Sequence, residues 1–180
     1  MKSLTRLGAM PVSLPLAADD VVEFHAARLI LLVHVCGVSG RIDGLTKMAK
    51  LDFFSRYPDF FDAVQTPHKS NNVGAVESSM IRYHYGPWDK RYYHVLAFLE
   101  ATGLIRVTKN KKAYVMSLTN MGKEKAIALA ALPSFKQTVS KMKEIKAAFG
   151  SRSGSSLKKM IYSFFDAEVG QLRHGEVIKL

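Results

Sequence analysis

Residues 104–119 read LIRVTKNKKAYVMSLT, and the reading of this stretch decides the fold. Two β-type runs, Leu104–Thr108 and Ala113–Leu118, flank the polar tetrapeptide Lys109-Asn110-Lys111-Lys112. Branched and aromatic side chains favour a pleated strand and asparagine favours a turn, so the stretch predicts a hairpin with a basic tip. Thr119 follows with a hydroxyl suited to the free amides of a helix start, and Pro133 stops that helix after about Leu132.

Upstream of the hairpin the pattern is helical three times over. Gly86-Pro87 predicts the start of a third helix, which Gly103 stops. A second helix runs from near Gly44 to Tyr57, where Pro58 discourages continuation. The first opens at Asp19 and Asp20, is apolar on more than one side through Cys36, and ends at Gly37 and Gly40. Ser79–Tyr85 alternates as a short strand, and 65–76 carries loop chemistry. Helix, helix, helix, hairpin, helix is the order of a winged helix-turn-helix. The fold class expected is mainly α with a small β-wing.

Beyond Pro133, Phe135, Val139, Met142, Ile145 and Phe149 recur at helical spacing, flanked by lysines. A Gly/Ser-rich break spans 150–156, and Leu157–Val169 reads as a last amphipathic helix. The organisation expected is a lead-in over 1–17, a winged-helix domain over 18–132 with a loop insertion near 65–78, and a C-terminal helical extension over 133–180.

A chain of 180 residues suits one such domain with an appendage. Its one cysteine, Cys36, cannot close an internal disulfide, which fits a reducing compartment. The longest apolar run, Leu29–Val38, is broken by His34 and falls short of a spanning helix. The expected location is the cytoplasm, with no membrane partner.

Charge is the most informative quantity. From Arg106 to Lys159 there are 13 basic and two acidic residues, an excess of +11, while the rest of the chain balances at 13 of each. One basic third suits a polyanion, because each cation meeting a phosphate releases condensed counterions. A solvated basic face, or one matched to an acidic protein, is the plainer alternative. On a helical wheel begun at Trp88, the core face carries Trp88, Tyr92, Val95, Leu96 and Leu99, and the opposite face carries Lys90, Tyr93, His94, Ala97 and Ala101. That second face suits a groove or phosphates, yet lacks the Arg, Asn or Gln that usually reads bases.

Catalytic signatures are missing. The sequence has no H-E-x-x-H, C-x-x-C or phosphate-loop motif, and its six histidines lack metal-ligand spacing. Ser155 and Ser156 mimic S-x-x-K with Lys158 and Lys159, but a serine opening a basic helix explains the pattern. No enzyme activity, metal or cofactor is expected. Asp52 and Arg56 lie one turn apart; the plain reading is an i,i+4 pair worth about 0.3–0.5 kcal/mol, the sharper one a partly buried pair at a partner interface.

The strings GLTKMAKLDFFSRYP (44–58), MIRYHYGPWDKRYYHVLAFLEATGLI (80–105), and SLKKMIYSFF with LRHGEVI (156–165 and 172–178) resemble small middle subunits of bacterial three-component ABC-ATPase defence operons, of which Lamassu is the best-known type. The similarity runs from about Leu45 onward. It implies a non-catalytic winged-helix accessory subunit in an anti-phage complex, bridging an SMC-like ABC ATPase to an effector, often a nuclease, and contributing to the binding of duplex DNA. The residues expected at DNA are Lys90, Arg91, Tyr93, His94, Arg106, Lys109, Lys111 and Lys112. Those expected at a protein partner are Asp52, Arg56, Lys136, Lys143, Lys158 and Lys159. The alternative is a free-standing winged-helix transcriptional regulator that binds DNA as a dimer.

Overall fold

The computed structural model describes residues 21–66, 80–84, 86–110 and 113–178. The chain is mainly helical with a small antiparallel sheet. Helix α1 (Val22–Cys36) is followed by strand β1 (Arg41–Asp43), α2 (Leu45–Arg56) and α3 (Pro58–Gln65). A ribbon of β2 (Ile81–Tyr83) and β3 (Gly86–Trp88) leads to α4 (Tyr92–Ala101). The hairpin β4 (Ile105–Asn110) and β5 (Ala113–Leu118) follows, then α5 (Asn120–Ala131), α6 (Lys136–Phe149) and α7 (Gly154–Phe164). Among the described residues no helix is long and apolar enough to cross a membrane.

The hairpin forms as expected, and its register runs from Ile105 opposite Leu118 to Asn110 opposite Ala113. Lys111 and Lys112 lie outside the described residues, as do Asp19 and Asp20 at the expected start of α1. The lead-in and most of the expected loop insertion also fall outside them. The sheet has one strand more than expected, because β1 pairs with β5 through Ile42 opposite Met116, giving the order β1-β5-β4. A three-residue strand has too little alternation to be seen without its partner.

Two further expectations are corrected. Pro58 ends α2, but it also opens α3, occupying a first-turn position where its missing N–H is no loss. Gly86-Pro87 does not begin a helix. Gly86 has φ +92°, which places it in a hairpin-like ribbon with Tyr83 opposite, and α4 begins only at Tyr92. The wheel still sorts the side chains correctly. Tyr92, Val95, Leu96 and Leu99 are buried, and Lys90, Tyr93, His94, Ala97 and Ala101 are exposed.

Helix α1 is the axis of one core, packed against α4, α5 and α6. The tail completes that core. Val139, Met142, Ile145 and Phe149 of α6, with Leu157 and Ile161 of α7, are buried against α1 and α2. The aromatic run after α2 is interior too, with Phe54 and Phe61 both stacked on Phe149. Thr119 caps α5, its Oγ1 accepting the Gly122 amide at 2.9 Å, and Ser153 caps α7 by the same bond to Ser156 at 3.1 Å.

Inside this core lies a cluster of charges. Asp52 is fully buried; its Oδ1 accepts Arg28 Nε at 2.9 Å and its Oδ2 accepts the Tyr92 hydroxyl at 2.7 Å. Arg56 stands 3.8 Å from Asp52 but donates to Asp89 Oδ2 at 2.7 Å. Asp52 and Arg56 are therefore 0% and 1% exposed, and their neighbours are this chain's own side chains. The i,i+4 pair is therefore present but buried, and the other groups that meet it, Arg28, Tyr92 and Asp89, come from the same chain.

Removing one member strands buried charge of the other sign. Asp52→Ala should cost about 3–5 kcal/mol, whereas Tyr92→Phe, which removes one hydroxyl, should cost about 1–3 kcal/mol. Urea unfolding of both variants measures the difference, and equal small losses would mean that the cluster is not held as described.

Candidate nucleic-acid interface

The site is built outward from Asp89, in the turn before α4. Its Oδ1 accepts both the backbone amide and Nε of Arg91 at 2.9 Å, and its Oδ2 accepts Arg91 Nη2 at 2.7 Å. Burial alone would raise the Asp89 carboxyl, but the Arg91 hydrogen bonds and the Arg56 charge hold it well below the usual carboxylate range. The turn is thereby fixed, and with it the direction in which α4 shows its outer face. That face carries Tyr93, 63% exposed, and His94, with Lys90 just before the helix.

The hairpin contributes by alternation. Ile105, Val107, Met116 and Leu118 face the core, and the same face continues outward to the cross-strand pair Lys109 and Tyr114. Arg106 is one residue out of phase. It lies on the opposite face, beside Ser117 and across from Arg41.

Tyr114, Tyr93, Tyr83 and Trp88 line an open cleft of about 330 Å³, completed by Ala113 of the hairpin and by Gly44, Leu45 and Thr46 at the start of α2. Trp88 is nearly buried and backs the other rings, with its centroid 6.0 Å from Tyr83 and 5.9 Å from Tyr93. Helix α2 opens here with no acidic residue in its first turn and no side-chain cap.

The residues expected at DNA thus divide. Tyr93 lines this cleft, Lys109 is exposed as the cross-strand neighbour of its Tyr114, and Lys90 and His94 are exposed before and after Tyr93 in the chain. Arg106 is exposed on the other face of the hairpin, and Lys111 and Lys112 lie outside the described residues. Arg91 is turned inward, tied to Asp89 and 2.9 Å from His25 Nε2. Of the residues expected at a protein partner, Lys136 and Lys143 share one exposed face of α6, and Lys159 is exposed on α7. Lys158 is half-buried, donating to the His84 carbonyl at 3.1 Å and lying 5.5 Å over the Tyr162 ring. The sequence reading missed Tyr83, Tyr114 and Thr46, and it put Trp88 in a helix. The alternation of 113–118 sets Tyr114 on the core-side face, so that one signal was available.

The other reactive groups are interior. Burial pushes the Cys36 thiol up to about 12, and it donates to the Met142 carbonyl at 3.3 Å, so it is no nucleophile. Among the described residues no three His, Cys, Asp or Glu side chains gather to hold a metal. Lys50 is fully buried and donates to the Pro87 carbonyl at 2.8 Å, which ties α2 to β3.

Burial, assisted by Lys158, lowers the Lys50 ammonium from 10.5 to about 7. Above pH 7 the folded chain gives up this proton while the unfolded chain keeps it to about pH 10, so stability from this group rises across that window. Urea midpoints of wild type should climb relative to Lys50→Met from about pH 7 to about pH 10; parallel curves would show that Lys50 is not desolvated.

No family model matches the chain, and neither the curated proteins nor the solved structures contain a match.

Proposed function

We propose that the chain is a winged-helix nucleic-acid-binding subunit with no catalysis of its own, working in the cytoplasm within an SMC-like ATPase and effector complex of anti-phage defence. One observation carries the binding part. The exposed tyrosines of α4 and of the hairpin, Tyr93 and Tyr114, line a single cleft, with Lys109 paired across the strands to Tyr114, on an element order of helix α1, strand β1, helices α2 and α4, and hairpin β4–β5. In a winged helix this is where the recognition helix and the wing approach duplex DNA. Lys90, Lys109 and, by sequence, Lys111 and Lys112 supply the cations for phosphates. No Arg, Asn or Gln stands on the outer face of α4, so the binding is of backbone and shape more than of sequence.

The ATPase part rests on the resemblance and on α5. The apolar tail stripe is interior and offers nothing to a partner. Met121 and Ile127 of α5 and Leu132 just after it are 45%, 58% and 46% exposed, which supports α5 as the protein-docking element. The same helix would serve a second copy in a free-standing regulator. Co-purification of the native complex separates the two: a large ATPase carried with the chain supports the first reading, and a homodimer alone supports the second.

The wing gives the sharper measurement. If Lys109, Lys111 and Lys112 all meet phosphates, replacing them with alanine should lower the slope of log K against log[salt] by about 2.7. The loss should be nearly equal for every sequence, because phosphate contacts do not specify bases. An unchanged slope removes the hairpin from the DNA interface.

A further inference from the structure

We propose that the aromatic cleft between α4 and the hairpin is a base slot, so that the protein binds polynucleotides with unpaired bases more tightly than closed duplex. The proposal deepens the nucleic-acid reading above and rests on it, adding the kind of strand that the same site prefers.

The argument begins with the cost of the surface. Tyr83, Tyr93 and Tyr114 are 41%, 63% and 44% exposed, on three different elements, yet all three line one cleft. Phosphate binding needs lysines and arginines and has no use for such a cluster. An unstacked base does, since every base offers a π-face that a tyrosine can cover whatever the sequence. The rings are also braced. Trp88 is 6% exposed and stands about 6 Å behind both Tyr83 and Tyr93, so those two form a supported wall. Tyr114 faces the cleft from the hairpin, opening a space of about 330 Å³ that accommodates a planar ring.

Charge selects the occupant. Lys109 is the cross-strand neighbour of Tyr114, Lys90 comes three residues before Tyr93, and His94 follows it. Asp43, beside the Gly44 wall, pairs with Arg41 at 3.1 Å on the hairpin's outer side, opposite Val115, and Asp89, next to Trp88, is taken up by Arg56 and Arg91. An aromatic slot rimmed by cations suits a strand whose phosphates lie at the edge while one base enters. In a closed duplex the bases are stacked on one another and cannot enter, so only the rim contacts form.

Trp88 is the chain's one tryptophan, so its fluorescence reports on this slot. The probes are an oligothymidine strand, an abasic strand of equal length and charge, a closed duplex, and an oligouridine strand that separates ribose from deoxyribose. Wild type should bind oligothymidine roughly tenfold or more tighter than the abasic strand, with a change in Trp88 emission. Tyr93→Ala and Tyr114→Ala should each remove most of that preference, and the corresponding phenylalanine variants should keep it. Both positions are exposed, so the substitutions leave the core intact. Oligouridine binding as well as oligothymidine supports a slot that ignores the sugar, and weaker oligouridine binding supports a slot for DNA.

Equal binding of the abasic and thymidine strands would overturn the proposal. So would Tyr93→Ala and Tyr114→Ala both keeping the wild-type preference. If duplex still binds in either case, the nucleic-acid reading survives without the slot. Binding of none of the probes would overturn both.

Discussion

Asp52 is a carboxylate with no exposure to water, and the arrangement of the molecule follows from how its charge is met. Burying an ion is costly unless its lone pairs find donors, and here they are supplied by Arg28 from α1 and Tyr92 from α4. Arg56, one turn along α2, then needs a second anion and finds it in Asp89. Asp89 in turn organises Arg91 and the head of α4. Apolar contacts tolerate sliding by a rotamer or two. Two ion pairs and a tyrosine hydroxyl bond at 2.7–2.9 Å do not, so α1, α2 and α4 are locked in mutual register.

That lock decides what the surface presents. Because Tyr92 points inward to Asp52, its neighbours Tyr93 and His94 must point outward. Because Asp89 holds Arg91, the arginine at the head of α4 is not presented on the helix's outer face. The tyrosine side of α4 is set against the hairpin instead, where Tyr114, with Lys109 as its cross-strand neighbour, completes an aromatic cleft.

The tail supports the same place from behind. Gly154 opens α7 so close to the Lys47 backbone nitrogen that a Cβ there would overlap it, and Lys47 Nζ donates to the Gly150 carbonyl at 2.7 Å. These contacts brace the first turn of α2, which forms one wall of the cleft. From the middle of α2, Lys50 reaches the Pro87 carbonyl and fixes the ribbon that carries Tyr83 and Trp88. Farther along, Arg82 donates its amide to the Glu176 carbonyl and Met80 accepts from Ile178, so the last described residues extend that ribbon. The helical extension is thus part of the domain's structure, and its apolar stripe is spent on the core.

The sequence by itself determined the local elements. The hairpin, the Thr119 cap, the course of α2 and the two faces of α4 are all set by nearest neighbours in the chain, through alternation, capping and helical period. It also determined that the net charge belongs to one third of the chain. Tertiary structure alone decided the rest. Nothing local distinguishes Asp52–Arg56 on a wet helix face from the same pair in a core, because the difference lies in Arg28, Asp89 and Tyr92 arriving from elsewhere. Gly86-Pro87 suits a helix start as well as a strand, and only pairing with Tyr83 and Arg82 selects the strand. The three tyrosines are far apart in sequence and carry no common motif. They become one surface because buried charges fix the helices that bring them together, a constraint that acts through space and leaves no periodic trace along the chain.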